Sequence, residues 1–329
     1  MHLLSASDIE RLVPMVDAIA VVKRAFAELS AGQATVPVRT AMPTAAPGGI
    51  ALYMPAYLAA SQSLGLKAVA VYPGNRERGL PTIFAAILLQ DAATGRPLAL
   101  IDGTYVTALR TGAATGAATD VLARPEACRL CLFGTGGQAP TQLEGVCAVR
   151  PITAVTVYGR NTAKAADFIE RMRALPFAQQ LEFHLATDPR EAVHMADIIV
   201  TATSAHAPLF AGPDVRVGTH VNAIGAFTPE MLEVPQELVA SAKVVVDSRE
   251  ACMAEAGDLL IPIREGLISA SHIYAELGEL VAGLKPGRTS ATEITLFKSV
   301  GNAVQDLAVG MLALERAERD GLGQVVDWN

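Results

Sequence analysis

The chain reads as an α/β protein, with a doubly wound parallel sheet in its middle and a smaller α+β domain assembled from its two ends. Three observations predict this. From residue 128 on, short apolar and largely β-branched runs ("CRLCLFG", "AVTVYG", "ADIIVTAT", "THVNAIG", "AKVVVD") alternate with helical stretches. Buried strands alternating with helices are the pattern of a parallel sheet covered on both faces. Before that point the apolar runs are broken by Pro and Gly, and one pair is joined at "DAATGRP" in the manner of a hairpin, so this part should be antiparallel. The last stretch, "LFKSVGNAVQDLAVGMLALERAERDGLG", reads as one long helical pattern that leaves the sheet domain and returns to the first. The expected domains are 1–124 with 303–329, and 125–302.

Taken in order, residues 8 to 31 have helical periodicity, with Ser7 as the expected N-cap and Gly32 as the stop. "GGIALYMPAYL", "LGLKAVAVYPG" and "TIFAAILLQDAATGRPLALID" are the expected strands of the first domain. "TYVTALRTGAATGAATDVLARP" is rich in Ala and Thr and closed by Pro125, which predicts a long buried helix whose small residues allow close packing. At 51% hydrophobic and 18% charged residues, the 329-residue chain has enough apolar material for sizeable cores and too little charge for disorder. A net charge of −7 gives no electrostatic case for nucleic acid or anionic lipid. No window approaches a membrane-spanning apolar run, and the N-terminus lacks the pattern of a signal peptide. Cys128, Cys131, Cys147 and Cys252 form no disulfide framework, which points to a reducing cytoplasm. Cys128 and Cys131 spell C-x-x-C, but three residues apart on a strand they face opposite ways, so neither a metal site nor a redox pair is expected.

The chemistry begins at "CLFGTGGQA", a G-x-G-x-x-A pattern of Gly134, Gly136 and Ala139 between an expected strand and an expected helix. In that setting the first glycine allows a tight turn and the second lets the backbone approach a pyrophosphate. Ala139 permits close helix–sheet packing, and the helix N-terminus faces the phosphates. This predicts a Rossmann-type dinucleotide site lined by Gly134, Thr135, Gly136, Gly137, Gln138 and Ala139. The end of the next strand usually carries an acid for the ribose 2′-OH of NAD. Here stand Gly159, Arg160 and Asn161, with an arginine able to pair a 2′-phosphate, so NADPH is the expected cofactor and NADH a possible one. A helix cap at Asn161 or Thr162 would account for the same turn without a ligand.

With those residues in view, the chain resembles the ornithine cyclodeaminase / mu-crystallin family nearly end to end. The marks are "KAVAVYPGNRERGLPT", "DAATGRPLALIDGTYVTALRTGAATGAAT", "FGTGGQA", "NAIGA", "VVVDSREACMAEAGDL" and "LFKSVG". The resemblance implies a homodimer, with a discontinuous N-terminal domain for substrate and dimerisation beside the Rossmann domain. It implies a carboxylate clamp of Arg39, Lys67 and Arg110, with Lys67 and Arg110 as the catalytic pair. An anion is needed beside each such buried cation, either a substrate carboxylate or a neighbouring Asp or Glu. Leu52, Met54, Phe227 and Thr228 are implied to line the substrate pocket. Thr111, Thr201, Thr203, Ile224, Lys298 and Ser299 are implied to join the cofactor site.

Two departures from the family's cyclodeaminases decide the expected reaction. Their loop aspartate falls at Phe227, and the glutamate that steers a distal amine falls at Leu52. Without them, oxidation of a diamine is not expected. Reduction of a preformed cyclic imine asks for orientation and hydride alone. The expected function is therefore an NAD(P)H-dependent ketimine reductase, giving L-proline from Δ1-pyrroline-2-carboxylate or L-pipecolate from Δ1-piperideine-2-carboxylate. The alternatives are a cyclodeaminase, an alanine-dehydrogenase-like enzyme on a 2-oxo acid, and a crystallin-like protein that binds NADP(H) or a small molecule without turnover.

Overall fold

The structure is a computed structural model and describes residues 1–328. It divides into two compact units. The first comprises Met1–Thr111 and the chain from Asn302 onward, and the second is Gly112–Gly301. The division falls inside the helix Gly103–Leu122, earlier than the expected boundary at 124. Small residues explain the shift. A side chain at Gly112 would collide with the Thr141 carbonyl, and one at Gly145 with the Gly112 carbonyl, so this half of the helix is pressed backbone to backbone onto Ala139–Cys147.

The first unit is one sheet in the order Gln324–Val325, His2–Leu4, Pro97–Asp102, Ile83–Asp91, Ser63–Val71, Ile50–Leu58, Ala34–Thr35, with Thr40–Pro43 also paired to Ile50–Leu58. It is antiparallel apart from the pairing of His2–Leu4 with Pro97–Asp102. The hairpin turn lies where "DAATGRP" placed it, with Asp91 accepting the Thr94 amide. Helices Met15–Ser30 and Ala303–Asp320 pack together, and Ala303–Asp320 lies on the three central strands. Register sorts the strand residues between the two faces. Met54, Lys67 and Ile87 are cross-strand partners and all buried, so they share the helix-covered face, with Leu52 and Val69 on the same side. The opposite face carries two apolar rows, Met42–Ala51–Ala70–Phe84 and Pro55–Leu66–Leu88–Leu100.

The second unit is an all-parallel sheet in the order Glu182–Ala186, Ala154–Tyr158, Arg129–Phe133, Ile198–Thr201, His220–Ala223, Thr295–Lys298, Lys243–Val246, Ile273–Glu276. The chain enters at Arg129–Phe133, winds outward through two strands, then returns to build the other half from Ile198–Thr201. The switch point therefore lies between those two central strands, and ligands of such sheets bind beyond the carboxyl ends there.

Two sequence expectations need correction. The first helical stretch is two helices, Ala6–Leu12 and Met15–Ser30, because Pro14 interrupts it. The cap is Ser5 rather than Ser7, in a capping box with Asp8. At the other end the "LFKSVG" run does not begin the last helix. Thr295–Lys298 is a fully buried strand, and the helix starts after Asn302, which caps it in a box with Gln305. No helix among the described residues is long and apolar enough to cross a membrane.

Candidate active site

The predicted dinucleotide residues gather at the carboxyl ends of the parallel strands. Gly134 follows Arg129–Phe133 with φ +98, and a Cβ there would lie 2.5 Å from the Ala202 carbonyl oxygen. Only glycine fits that turn. Gly136 and Gly137 face open space, so nothing in the second unit blocks approach to their backbone. The helix Ala139–Cys147 then starts with no side-chain cap from Gln138; its Ala139 amide donates to the Gly136 carbonyl at 3.1 Å, and Pro140 brings no N–H, so the turn and the helix start form one tight corner. An open glycine cradle, an uncapped helix start and a strand switch fit a dinucleotide pyrophosphate.

At the end of Ala154–Tyr158, Gly159 is half-buried and Arg160 is exposed. Asn161 caps Thr162–Arg173 by accepting the Lys164 amide. Its side chain therefore has a structural task, while the Arg160 guanidinium stands in solvent.

The loop after His220–Ala223 is held by a residue that sequence reasoning missed. Glu233, fully buried, accepts five hydrogen bonds: from the Thr201 hydroxyl (3.0 Å), the Thr203 amide and hydroxyl (2.7 Å each), the Gly225 amide (2.7 Å) and the Ala226 amide (3.0 Å). Asp258 in turn accepts the amides of Glu233 and Val234, and its other oxygen lies 2.9 Å from Lys298 Nζ. Burial and the neighbouring Asp258 push the Glu233 carboxyl above its usual range, opposed by Lys298 and the Thr203 donors. Lys298 is held above the ordinary lysine range, since Asp258 and Glu233 outweigh its burial. The side chains of Thr201, Thr203 and Lys298 are thus engaged inside the unit. Ser299 is likewise buried and donates to Asp247 at 2.7 Å. Ile224 is buried at the strand end, whereas Phe227 is 41% exposed on the loop. The Thr228 carbonyl accepts the amides of Met231 and Gly257. Asn222, the first residue of "NAIGA", donates to Thr119 Oγ1 and ties this strand to the helix Gly103–Leu122.

In the first unit, Lys67 and Arg110 are both buried and meet on a third group, also missed from sequence. Asp306, fully buried in the first turn of Ala303–Asp320, places Oδ2 2.7 Å from Lys67 Nζ and Oδ1 3.1 Å from Arg110 Nε. Arg110 Nη1 also donates to Gln305 Oε1. The anion that the two buried cations require is therefore supplied, in part, by the protein itself. Lys67 is pulled from the ordinary lysine value down to about 8. Burial is the main cause, Arg110 and Arg39 add to it, and Asp306 opposes it. Arg39, half-buried just before Thr40–Pro43, is close enough for its charge to be felt at Lys67. Thr111 ends this unit with its hydroxyl turned back onto the Thr107 carbonyl at 2.6 Å. A signal for Asp306 was present: an acid at "NAVQDLAVG" on the apolar stripe of an amphipathic helix calls for a buried cation.

The fold and these constellations define a two-unit α/β protein, one unit a dinucleotide-binding sheet and the other an antiparallel sheet with a buried cationic cluster. The chain belongs to the ornithine cyclodeaminase/mu-crystallin family, whose model matches residues 1–321. A Delta(1)-pyrroline-2-carboxylate reductase of Bacillus cereus is 43% identical over the full length of both chains. Among solved structures, the Thermococcus litoralis Delta(1)-pyrroline-2-carboxylate reductase in complex with NADH and L-proline is 45% identical, with a TM-score of 0.95 over 99% of this chain and 100% of that one. An archaeal alanine dehydrogenase dimer with bound NAD is 34% identical, with a TM-score of 0.93 over 100% of this chain and 99% of that one.

Proposed function

We propose that the chain is an NAD(P)H-dependent reductase of small cyclic imino acids, converting Δ1-pyrroline-2-carboxylate to L-proline and Δ1-piperideine-2-carboxylate to L-pipecolate. The observation that carries this reading is the absence of an acid at two positions. Phe227 stands exposed on the loop beyond His220–Ala223, and Leu52 lies on the sheet face that bears Lys67. Neither can take a proton from an amine or hold a distal ammonium. The full-length similarity to two pyrroline-2-carboxylate reductases supports the same reading.

In this reading Arg39, Lys67 and Arg110 bind the substrate carboxylate and Leu52 and Met54 on the same unit offer apolar surface to the ring, while Phe227 and Thr228 are the second unit's residues assigned to the substrate. Bound NADH or NADPH supplies the hydride. Lys67, held near pKa 8, is the residue able to keep a proton at Nζ and yield it to the imine nitrogen or a bridging water. The glycine turn at Gly134–Gly137 and the helix start at Ala139 take the pyrophosphate. Preference for NADPH rests on Arg160 together with the missing strand-end acid, since the two solved relatives carry NADH and NAD.

The outward face of the first unit's sheet, with Met42, Phe84 and Leu100 exposed, is the surface we assign to a second copy of the chain, in keeping with the dimeric relative. Four free cysteines suit a cytoplasmic enzyme. The test is consumption of reduced nicotinamide with each cyclic imine, run beside ornithine with NAD+ or NADP+ and beside pyruvate with ammonium. Reduction of the imine without added ammonium is expected. Ammonia release from ornithine at a similar rate, or strict ammonium dependence with a 2-oxo acid, would replace this function with a cyclodeaminase or an alanine-dehydrogenase type.

A further inference from the structure

We infer that Asp306 is a positioning residue of the carboxylate site: its two oxygens fix Lys67 and Arg110 and cancel one of their charges, leaving the buried cluster matched to a single carboxylate. This rests on the reading of that cluster as the substrate site. The geometry is specific. One oxygen faces Lys67 Nζ and the other Arg110 Nε, and both cations are drawn to the start of one helix. That helix start favours a negative charge at Asp306. Leu307, the next residue, packs against Gly65 two positions from Lys67, so helix and strand cannot separate without loss of contact. The two buried cations and one buried anion leave one positive charge to be met, and half-buried Arg39 brings a second that solvent reaches. No hydrogen bond to another described residue takes Arg110 Nη2 or the remaining donors of Lys67. Those donors leave the buried trio of Lys67, Arg110 and Asp306 open to an anion from outside the chain, and one carboxylate balances the trio.

A second consequence concerns protons. The charged groups that reach Lys67 are Arg110 from Gly103–Leu122, Asp306 from Ala303–Asp320, and Arg39 from the segment before Thr40–Pro43. Its strand neighbours Met54 and Ile87 are apolar. Asp306 is the group that keeps Lys67 protonated against burial and two like charges. Without Asp306, Lys67 loses its proton at lower pH. Without Arg39, it keeps the proton to higher pH. A residue with a purely architectural role would produce neither movement.

The experiment follows kcat/KM for Δ1-pyrroline-2-carboxylate across the neutral to alkaline range. In parallel, calorimetry follows binding of pyrrole-2-carboxylate, a planar ring acid, to the cofactor-loaded protein. Wild type is expected to lose activity and affinity above a limb near pH 8. In Asp306→Asn the limb should move to lower pH by about one unit or more, and in Arg39→Leu to higher pH. Lys67→Arg should remove the limb. A limb unmoved in folded Asp306→Asn, or shifts of the same sign in both variants, would overturn the role of Asp306. If Asp306→Asn does not fold, Arg39→Leu and Lys67→Arg decide: a limb unchanged in either overturns it. Should wild type bind pyrrole-2-carboxylate with the expected pH dependence yet reduce no imine, the proposed reaction falls and the role of Asp306 stands.

Discussion

Phe227 and Glu233 divide the work of one loop. Glu233 fastens the backbone of Gly225 and Ala226 to Thr201 and Thr203 from below, and Phe227 projects from the fastened segment with 41% of its surface exposed. The loop therefore needs no support from the phenyl ring, and Phe227→Ala should leave the fold intact and imine reduction within about tenfold of wild type. If Phe227 meets the substrate as proposed, Phe227→Asp should lower kcat/KM further, because it replaces an apolar surface with a carboxylate. Steady-state kinetics of the two variants check this, and an aspartate variant as active as the alanine one would remove Phe227 from the substrate pocket. At this scale the sequence was informative where a residue type is required by backbone shape or by chemistry. Gly134 stands out in the string of letters, and the family resemblance picks out Arg39, Lys67 and Arg110. Glu233, Asp258 and Asp306 do not. Their partners lie far along the chain, and an isolated acid in an apolar stretch names no partner until the chain is folded.

The element that joins both units is the helix Gly103–Leu122, and its character changes midway. Arg110 belongs to the first unit's buried ion cluster, while Gly112, Ala113, Ala114, Ala117 and Ala118 are buried in the second. Gly145 of the facing helix has no room for a methyl group against the Gly112 carbonyl. Gly145→Ala should therefore destabilise by about 1–3 kcal/mol through overpacking, read as a lower midpoint in denaturant with an unchanged m-value. Because Ala139–Cys147 also carries the glycine turn, cofactor affinity should fall along with stability. A different element sets cofactor choice. Arg160 is exposed at the end of Ala154–Tyr158, and no hydrogen bond to another described residue holds it back from a 2′-phosphate. Arg160→Ala should lower kcat/KM with NADPH by about tenfold and leave NADH little changed. Equal use of both cofactors by wild type would remove the basis for that preference. Element types were legible from periodicity wherever a run was long or clearly β-branched. Thr295–Lys298 was not, since a four-residue strand with two apolar residues, close before a helix, is too short to show a period of its own. The capping pair Asn302 and Gln305 marked the true start.

For the whole molecule, the apolar face of the first unit's sheet is the surface proposed to meet a second copy of the chain. Two of its cross-strand rows, Met42–Ala51–Ala70–Phe84 and Pro55–Leu66–Leu88–Leu100, are apolar across four strands, and Phe84 is 49% exposed on one of them. Phe84→Glu should convert the assembly to monomers in sedimentation equilibrium, since a charge in the core of an apolar contact is left unpaired. A monomeric wild type would remove the dimer. The sequence by itself determined the fold class, the dinucleotide turn and the missing acids at Phe227 and Leu52. Each of these depends on local periodicity or on which side chain occupies one position. Tertiary structure alone decided which acids meet which cations, where the two units part within a continuous helix, and which sheet face is left apolar. Those properties arise from strand register and from contacts between residues as distant as Lys67 and Asp306, and neither is encoded in any single stretch of the chain.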